Sequence, residues 1–383
     1  MTDHSFAPDR LDILRQALVD DIASRKYWGA AIKIAHRGEI VFDFAEGHAD
    51  EAGVQPIATD TVFSIFSVTK AFINVLILRA VEMGRIALTT KMVDVIPEFR
   101  GAPRDQATIY HFLTHTNGLP GVWEPKPGLY FDDLTEIVEA VIENIHGANE
   151  PGARCDYAPM ANHALLGDVL RRIDPQKRSI NEILEQDLFI PLKMDDTRLG
   201  LRAHMRDRHA FPDFRGIVPI KELSRTHAGD HGIFGAETQE AVWMGAASTT
   251  ADLTRFAEML RRGGELDGAR ILSPVTVRLA RRNHTGTLPN ELYKAVALRS
   301  GYTVPPAYLG LGFSVRGDAI VKHQFGTLTS PETFGNYGAG STEYWIDPEL
   351  DVTFVGLSAG LLGQAANIDR YQRLSDIVVG ALS

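Results

Sequence analysis

The sequence predicts a mixed α/β fold of the α+β type, in which strands from both ends of the chain form one antiparallel sheet flanked by helices. Strand-like runs occur at 29–44 and return after about residue 305, and helical periodicity dominates the segments between these regions. No stretch has the composition of a flexible linker. We therefore expect one unit over 1–383, with a sheet lobe at 1–62 plus 300–383 and an inserted, mainly helical lobe at 63–299.

The chain begins with a predicted helix and hairpin. Apolar residues recur close to helical spacing at Leu11, Leu14, Leu18 and Ile22. The segment 29–44 then contains two strand-like runs that turn at Arg37-Gly38. From Val68 to Met83 the pattern is helical and strongly apolar, and the glycine that follows is typical of a helix end. We expect this helix to be largely buried.

The remaining elements alternate from helical to strand-like along the chain. Further helices are predicted at 107–115, 133–145, 160–173, 179–188, 250–262 and 274–281. Strand-like runs follow at 310–315, 319–323, 342–346 and 352–357. A last helix is expected at 368–382.

Composition excludes several classes of partner. A net charge of -10 with 44% hydrophobic residues is ordinary for a globular protein and unfavourable for binding nucleic acid or anionic lipid. The single cysteine, Cys155, excludes an internal disulfide and a cysteine-cluster metal site. No apolar run is long enough for a membrane span, and the first residues do not resemble a signal peptide. We therefore expect a cytoplasmic protein that acts on a small molecule without a cofactor or metal.

Ser67 and Lys70 form the first candidate catalytic element. In a helix, Ser-x-x-Lys places a hydroxyl and an amine one turn apart on the same face. An amine whose pKa is lowered by burial can take the serine proton, and the apolar surroundings of Lys70 favour such burial. The alternative is a serine that caps the helix beside a surface lysine.

Tyr157 is the second candidate. It lies in the loop-like stretch 151–159, directly before the helical run at 160–173. Near a cationic lysine, its phenol can lose or relay a proton. A packed aromatic residue is the alternative interpretation.

The third candidate element is the glycine-rich segment 334–342, which precedes the strand-like residues 344–346. Glycines this dense allow close approach of the backbone and can present N–H groups to a developing oxyanion. A β-bulge or simple turn is the alternative interpretation.

Taken in order, these elements resemble the serine β-lactamase and penicillin-binding-protein superfamily, whose first motif is Ser-x-x-Lys. The resemblance is closest to the class C-like branch that includes the family VIII carboxylesterases. It extends over about residues 10 to 380, and its phrases are FSIFSVTK (63–70), FLTHTNGL (112–119), PLKMDDT (191–197), the helical run at 247–260 and the strand end at 344–348. It implies a β-lactamase/transpeptidase-like fold.

The resemblance also implies roles for individual residues. Ser67 is the expected acylated nucleophile, Lys70 its proton acceptor or electrostatic partner, and Tyr157 the base that activates Ser67 and then the deacylating water. The backbone N–H groups of Ser67 and Ala339 are the expected oxyanion hole. The segment Asn336-Tyr337-Gly338 occupies the position of the family's Lys-Thr-Gly and is expected to bind substrate.

Two departures from the family pattern narrow the expected chemistry. The usual Tyr-x-Asn is Tyr157-Ala158-Pro159 here, and Asn336 stands where a lysine would hold an anionic group. The predicted function is a serine carboxylesterase that acts on neutral esters with an apolar or aromatic group. Alternatives are an amide or D-amino-acid peptidase, a lactone hydrolase or an acyltransferase, with weak β-lactamase activity compatible with the fold. A catalytically inactive binding protein is the alternative from another class.

Two rival motifs remain. The stretch 356–360 matches the Gly-x-Ser-x-Gly elbow of α/β-hydrolases, but no histidine follows it. The pairs His111 with His115 and His227 with His231 have metal-like spacing without an accompanying glutamate motif, so capping or packing is the simpler interpretation.

The stretch 199–243 is the least family-like part of the chain. Its apolar residues predict a pocket wall for an apolar or aromatic group, and they are Phe211, Phe214, Ile217, Ile233, Phe234 and Trp243. Trp243 and Phe234 are the residues of this stretch that we expect to contact substrate.

Overall fold

The computed structural model describes residues 5–213, 223–228, 231–339 and 341–383. Within these ranges the helices, in chain order, are α1 (Pro8–Ala23), α2 (Thr69–Glu82), α3 (Met92–Val95), α4 (Ile109–Leu113), α5 (Leu134–Asn144), α6 (Ala161–Ile173), α7 (Ile180–Leu184), α8 (Thr250–Arg261), α9 (Pro274–Ala280), α10 (Glu291–Ser300) and α11 (Gln364–Gly380). The strands are β1 (Gly29–His36), β2 (Glu39–Gly47), β3 (Val62–Ser64), β4 (Arg198–Leu199), β5 (His209–Ala210), β6 (Ala246–Ser248), β7 (Glu265–Leu266), β8 (Ala269–Arg270), β9 (Ser314–Val315), β10 (Phe334–Gly338), β11 (Thr342–Asp347) and β12 (Val352–Ala359).

The main sheet joins the two ends of the chain. Its six strands run in the order β2-β1-β12-β11-β10-β9, and every neighbouring pair is antiparallel. The first and last strands of the sequence pair along their whole length, from Gly29 opposite Ala359 to His36 opposite Val352. The predicted mixed fold with a sheet built from both termini is therefore confirmed.

Helices cover both faces of this sheet. Helices α1 and α11 lie on one face, and α8 packs on β1, β11 and β12 from the other. Strand β12 is consequently buried at every residue, which explains its almost continuous apolar sequence. On the α1 and α11 side, Trp345 stacks on Phe354 with ring centroids 5.3 Å apart.

Helix α2 is the buried centre of the helical lobe. Its apolar residues pack on all sides, and the polar side chains of Lys70 and Asn74 are buried with them. The helix is entered from β3, which belongs to a second, four-stranded sheet of order β4-β6-β3-β5. This small sheet fixes the start of α2 relative to the rest of the lobe.

The expected helices lie within a few residues of the observed ones, and the hairpin at 29–44 is confirmed. The strand expected at 319–323 is wrong, because β9 is the edge of the sheet and the His323 N–H donates to the Gln372 side chain instead of a strand. Helix α10 was not predicted, although its Asn290 cap and the left-handed Gly301 that ends it are typical signals. The division into lobes at 62/63 and 299/300 stays a prediction.

No helix in the described ranges combines the length and the apolar character that crossing a membrane requires.

Candidate active site

The predicted Ser67, Lys70 and Tyr157 lie together. Ser67 is in a 3₁₀ turn (Phe66–Val68) that leads into α2, and Lys70 is in the first turn of that helix. The Lys70 Nζ donates to Ser67 Oγ at 2.8 Å, and the Tyr157 hydroxyl lies 2.9 Å from the same Oγ. Because Ser67 Oγ bonds to these two groups and Lys70 is 3% exposed, a capping serine beside a surface lysine does not describe this segment.

The backbone places Ser67 at the tip of a tight turn. Phe66, the residue before it, has a φ of +47°, in the left-handed region that bulky residues rarely adopt. The Ile65 N–H donates to the Ala246 carbonyl on β6, and the Ile65 carbonyl accepts from the Thr342 hydroxyl at 2.9 Å. Both sheets therefore hold the nucleophile turn.

Lys70 is surrounded by neutral groups. Besides Ser67, its Nζ donates to the Trp243 carbonyl at 2.7 Å, and among the described residues no carboxylate forms an ion pair with it. Burial therefore lowers the pKa of Lys70 well below its ordinary value. A neutral amine in this position can accept the Ser67 proton.

The environment of Tyr157 favours the protonated form of its side chain, whereas that of Lys70 favours the deprotonated form. Burial raises the pKa of its phenol, and the hydrogen bond with Ser67 offsets only part of that increase. The Lys70 Nζ lies 5.1 Å from the centroid of the Tyr157 ring, and the His115 ring lies 5.0 Å from it on another side. The phenol is thus held protonated beside the serine oxygen.

Gly338 lets β10 approach the nucleophile turn. A Cβ atom at this position would lie 2.5 Å from Thr342 Oγ1 and 2.7 Å from the Ile65 carbonyl oxygen. The next residue, Ala339, lines the same cavity as Ser67. This arrangement is compatible with the expected oxyanion hole, whose role stays a prediction; Gly340 of the glycine-rich segment lies outside the described residues.

Asn336 and Tyr337 also line this cavity, and their side chains contact different neighbours. The Asn336 amide donates to the Gly312 carbonyl at 3.1 Å and accepts from the Tyr344 hydroxyl at 2.7 Å. Tyr337 meets Tyr293 edge to face, with centroids 5.9 Å apart. This part of the wall is polar and uncharged.

The cavity over Ser67 has a volume of about 820 Å³. One apolar wall is continuous, because the Phe131 ring packs on Trp243 and the Phe131 N–H donates to the Leu223 carbonyl; Met244 follows Trp243 in the same lining. The lining also includes neutral hydrogen-bonding side chains, namely Asn290, Tyr293, Gln324, Asn336, Tyr337, Gln364 and Asn367, and further apolar ones, namely Leu292, Leu309, Phe313 and Leu362. Besides histidines and tyrosines, the ionisable side chains among the described lining residues are those of Lys70 and Glu124.

The stretch 199–243 contributes less to this wall than expected. Trp243 lines the cavity and also provides the carbonyl that binds Lys70. Phe234 is buried behind Phe66, with ring centroids 5.0 Å apart, and it is Phe66 that faces the cavity. Phe211 stacks on a histidine ring, and the predicted wall residues Phe214 and Ile217 lie outside the described residues.

The sequence did not predict that two histidines, His115 and His163, would be buried at the site. His115 lines the cavity, and its Nδ1 has no hydrogen-bond partner among the described residues. Burial, and secondly the nearby Lys70, lowers the pKa of His115 to about 3. His163 lies 5.7 Å from it between ring centroids and pairs with the Asn74 side chain at 3.0 Å. Their positions depend on how α2, α4 and α6 pack, which the spacing of histidines in the sequence does not reveal.

The rival motifs are explained structurally. His111 Nδ1 accepts the Thr108 N–H at 3.1 Å at the start of α4, so this histidine caps a helix. No group of three metal-ligating side chains occurs within the described ranges. Ser358 lies inside β12 with its hydroxyl bound to Arg370, so the Gly-x-Ser-x-Gly match is part of a strand and not a nucleophile elbow.

The chain is similar in sequence to known proteins. The family model described as Beta-lactamase matches residues 14–377. Penicillin-binding protein 4 of Amycolatopsis lactamdurans is 26% identical over 312 residues, which cover 79% of this chain and 76% of that protein. Esterase EstB of Burkholderia gladioli is 40% identical over 119 residues, which cover 30% of this chain and 29% of that protein.

Solved structures show the same fold. The crystal structure of a family VIII carboxylesterase superposes with a TM-score of 0.76 at 20% identity, and the alignment covers 99% of this chain and 100% of that one. A family model that matches nearly the whole chain, together with this architecture, settles its membership. The chain belongs to the β-lactamase family of serine hydrolases.

Proposed function

We propose that this protein is a carboxylesterase that cleaves neutral esters through an acyl-enzyme on Ser67. The observation that carries the proposal is the position of Ser67 Oγ between an amine at 2.8 Å and a phenol at 2.9 Å, in a cavity with an apolar wall. Likeness to an enzyme named as an esterase and to a carboxylesterase structure supports the ester as substrate.

The acylation step follows from the protonation states. Neutral Lys70 accepts the Ser67 proton while Oγ attacks the ester carbonyl, and the N–H groups of Ser67 and Ala339 hold the negative charge of the tetrahedral intermediate. The carbon–oxygen bond to the alcohol then breaks. Tyr157 donates its proton to the departing oxygen and regains one from protonated Lys70.

Deacylation repeats these steps with water as the nucleophile. Tyr157 accepts the proton of the attacking water while its own proton passes to neutral Lys70. The carbon–oxygen bond to Ser67 then breaks, and the serine oxygen takes a proton from protonated Lys70. In this scheme Tyr157 relays protons and Lys70 is the resting base, because burial favours the neutral form of both.

The preference for neutral substrates rests on the charges of the cavity. Asn336 replaces a lysine with an amide that is already bound on both sides, and Lys70 is the cavity's only lysine or arginine among the described lining residues. A substrate carboxylate would lose its hydration here without a fixed cation to replace it. An uncharged ester avoids that cost.

The test compares neutral and anionic substrates across two serine variants. We expect wild type to hydrolyse 4-nitrophenyl butanoate and to react poorly with a chromogenic cephalosporin and with a D-alanyl-D-alanine peptide. Ser67→Ala should abolish ester turnover, whereas the matched control Ser358→Ala, at the buried serine of β12, should retain it. Faster turnover of the cephalosporin or peptide than of the ester would overturn the proposal.

A further inference from the structure

Two loops that contribute Phe131 and Leu223 to the cavity lining are joined by one carboxylate. Asp132 accepts hydrogen bonds from the Ser224 hydroxyl at 2.6 Å, the Arg225 N–H at 2.6 Å and the Thr226 hydroxyl at 3.0 Å. We call Asp132 with these three partners the Asp132 clasp. Hydrogen bonds to an ionised acceptor are about twice as strong as neutral ones, so the clasp ties the segment 223–228 firmly to the loop before α5.

Further contacts extend the clasp on both sides. The Phe131 N–H donates to the Leu223 carbonyl at 3.0 Å. The Arg225 guanidinium forms an ion pair with Glu136 at 2.8 Å and lies 4.6 Å from the centroid of the Tyr130 ring. The two loops therefore form a single wall with backbone and side-chain links.

This wall contacts the residue whose carbonyl binds the Lys70 amine. Phe131 and Leu223, which flank the clasp in the two loops, both line the cavity. The Phe131 ring packs edge to face on Trp243, with centroids 5.3 Å apart, and the Trp243 carbonyl accepts from Lys70 Nζ at 2.7 Å. The clasp itself lies outside the cavity and contacts none of the groups expected to react.

Tyr157 lies beside a different part of the lining. The Cys155 carbonyl, two residues before Tyr157, accepts the N–H of Glu291 at 3.0 Å, so the Tyr157 segment is tied to α10. Leu292 and Tyr293 of this helix line the cavity. The Phe131 and Leu223 wall and the α10 side therefore belong to different segments of the lining.

From these contacts we propose that Asp132 is a positioning residue that sets acyl-chain specificity, by holding Phe131 and Leu223 as the wall against which a medium-length apolar acyl chain packs. The proposal rests on the esterase function proposed above and deepens it. Esters of eight-carbon acids should depend on the clasp, whereas acetate esters, whose acyl group does not reach the wall, should not.

The experiment measures kcat and KM for 4-nitrophenyl octanoate and acetate in Asp132→Ala, with Asp133→Ala as the matched control. Asp133 is the neighbouring carboxylate and caps α5 through the Thr135 N–H, so its loss tests helix capping without opening the clasp. We expect Asp132→Ala to lower kcat/KM for octanoate about tenfold, mainly through KM, a loss in the range seen for single pocket contacts. The acetate values should stay within about twofold, and Asp133→Ala should leave the octanoate-to-acetate ratio unchanged.

A double-mutant cycle distinguishes the loss of the Asp132 clasp from a general destabilisation of the fold. Ser224→Ala should reduce the octanoate-to-acetate ratio by a smaller factor, and the double variant should lose no more than Asp132→Ala alone, because both act through one contact. Equal losses for both esters, or losses that multiply in the double variant, would overturn the proposal. A wild type that neither hydrolyses the acetate nor becomes acylated at Ser67 would instead overturn the esterase function, and the clasp proposal with it.

Discussion

The amine of Lys70 lies 2.8 Å from the hydroxyl oxygen of Ser67 and is bound on its other side by the Trp243 carbonyl, in a buried position. This pairing determines which group takes the serine proton. Burial that disfavours an ammonium ion also makes the amine a stronger candidate base at neutral pH.

Replacing Lys70 should lower the activity and raise the stability of the fold. Lys70→Met removes the base and should lower kcat at least ~10²-fold, the scale of general base catalysis. Because the pKa of Lys70 is lowered in the folded state, the unfolded chain binds more protons at neutral pH, and wild-type stability should rise with pH toward the ordinary lysine value. Lys70→Met should lose this dependence and unfold at higher urea concentration at pH 7, as measured by circular dichroism.

Equal urea midpoints for wild type and Lys70→Met at pH 7, or midpoints that fall in the variant, would argue against a neutral buried amine. Lys70→Arg is the useful control, since a guanidinium stays protonated and cannot serve as the base. We expect it to be as inactive as the methionine variant.

Removing the Tyr157 hydroxyl should impair proton relay and leave ring packing in place. Tyr157→Phe retains the ring contact with His115 and loses the 2.9 Å hydrogen bond to Ser67. We expect kcat to fall ~10²-fold with little change in KM, because the hydroxyl relays protons in both acylation and deacylation. The loss of kcat/KM, which reports acylation, should be greater for an ethyl ester than for the 4-nitrophenyl ester, whose alcohol leaves without needing a proton. An equal loss of kcat/KM for both esters would contradict proton donation to the departing alcohol.

Gly338 should be indispensable to activity for steric reasons. In Gly338→Ala the new methyl group would lie 2.7 Å from the Ile65 carbonyl oxygen, so β10 and Ala339 must move away from the nucleophile turn. We expect kcat to fall ~10²-fold or more, the scale of losing an oxyanion contact. Gly380→Ala is the control, because its methyl group meets no atom within 4 Å and should leave activity unchanged.

Four buried histidines should make the fold sensitive to acid. Burial lowers the pKa values of His115, His209 and His323 to about 3 and also lowers that of His163, whereas the unfolded chain takes up these protons near pH 6.5. Below that pH each group should reduce the free energy of unfolding by up to about 1.4 kcal/mol per pH unit. Urea titrations between pH 6 and 5 should show the summed slope, and His115→Phe should reduce it by about a quarter. An unchanged slope in that variant would mean that His115 is not held neutral.

The sequence was sufficient to predict residues whose chemistry is local. Ser67 and Lys70 are one helical turn apart, so predicting the helix also predicts their contact. The alternating and continuous apolar runs that form β1 and β12 likewise placed the sheet at the two ends of the chain.

Other parts of the site depend on contacts between distant segments. The Trp243 carbonyl reaches Lys70 across 173 positions of sequence, and any residue type offers a carbonyl, so no side-chain pattern marks it. Phe234 and Phe66 are both aromatic, and only the turn at Ser67 decides which one faces the cavity. The Asp132 clasp joins residues about 90 positions apart through backbone and hydroxyl groups that have no periodic signature.

The most direct test of the account is the mass of the enzyme trapped during turnover. Wild type mixed with 4-nitrophenyl butanoate and quenched in acid should carry one butanoyl group, which peptide mapping should place on Ser67, and Tyr157→Phe should accumulate more of it if deacylation slows. Unmodified enzyme throughout turnover, or a butanoyl group on any other residue with activity retained in Ser67→Ala, would contradict it.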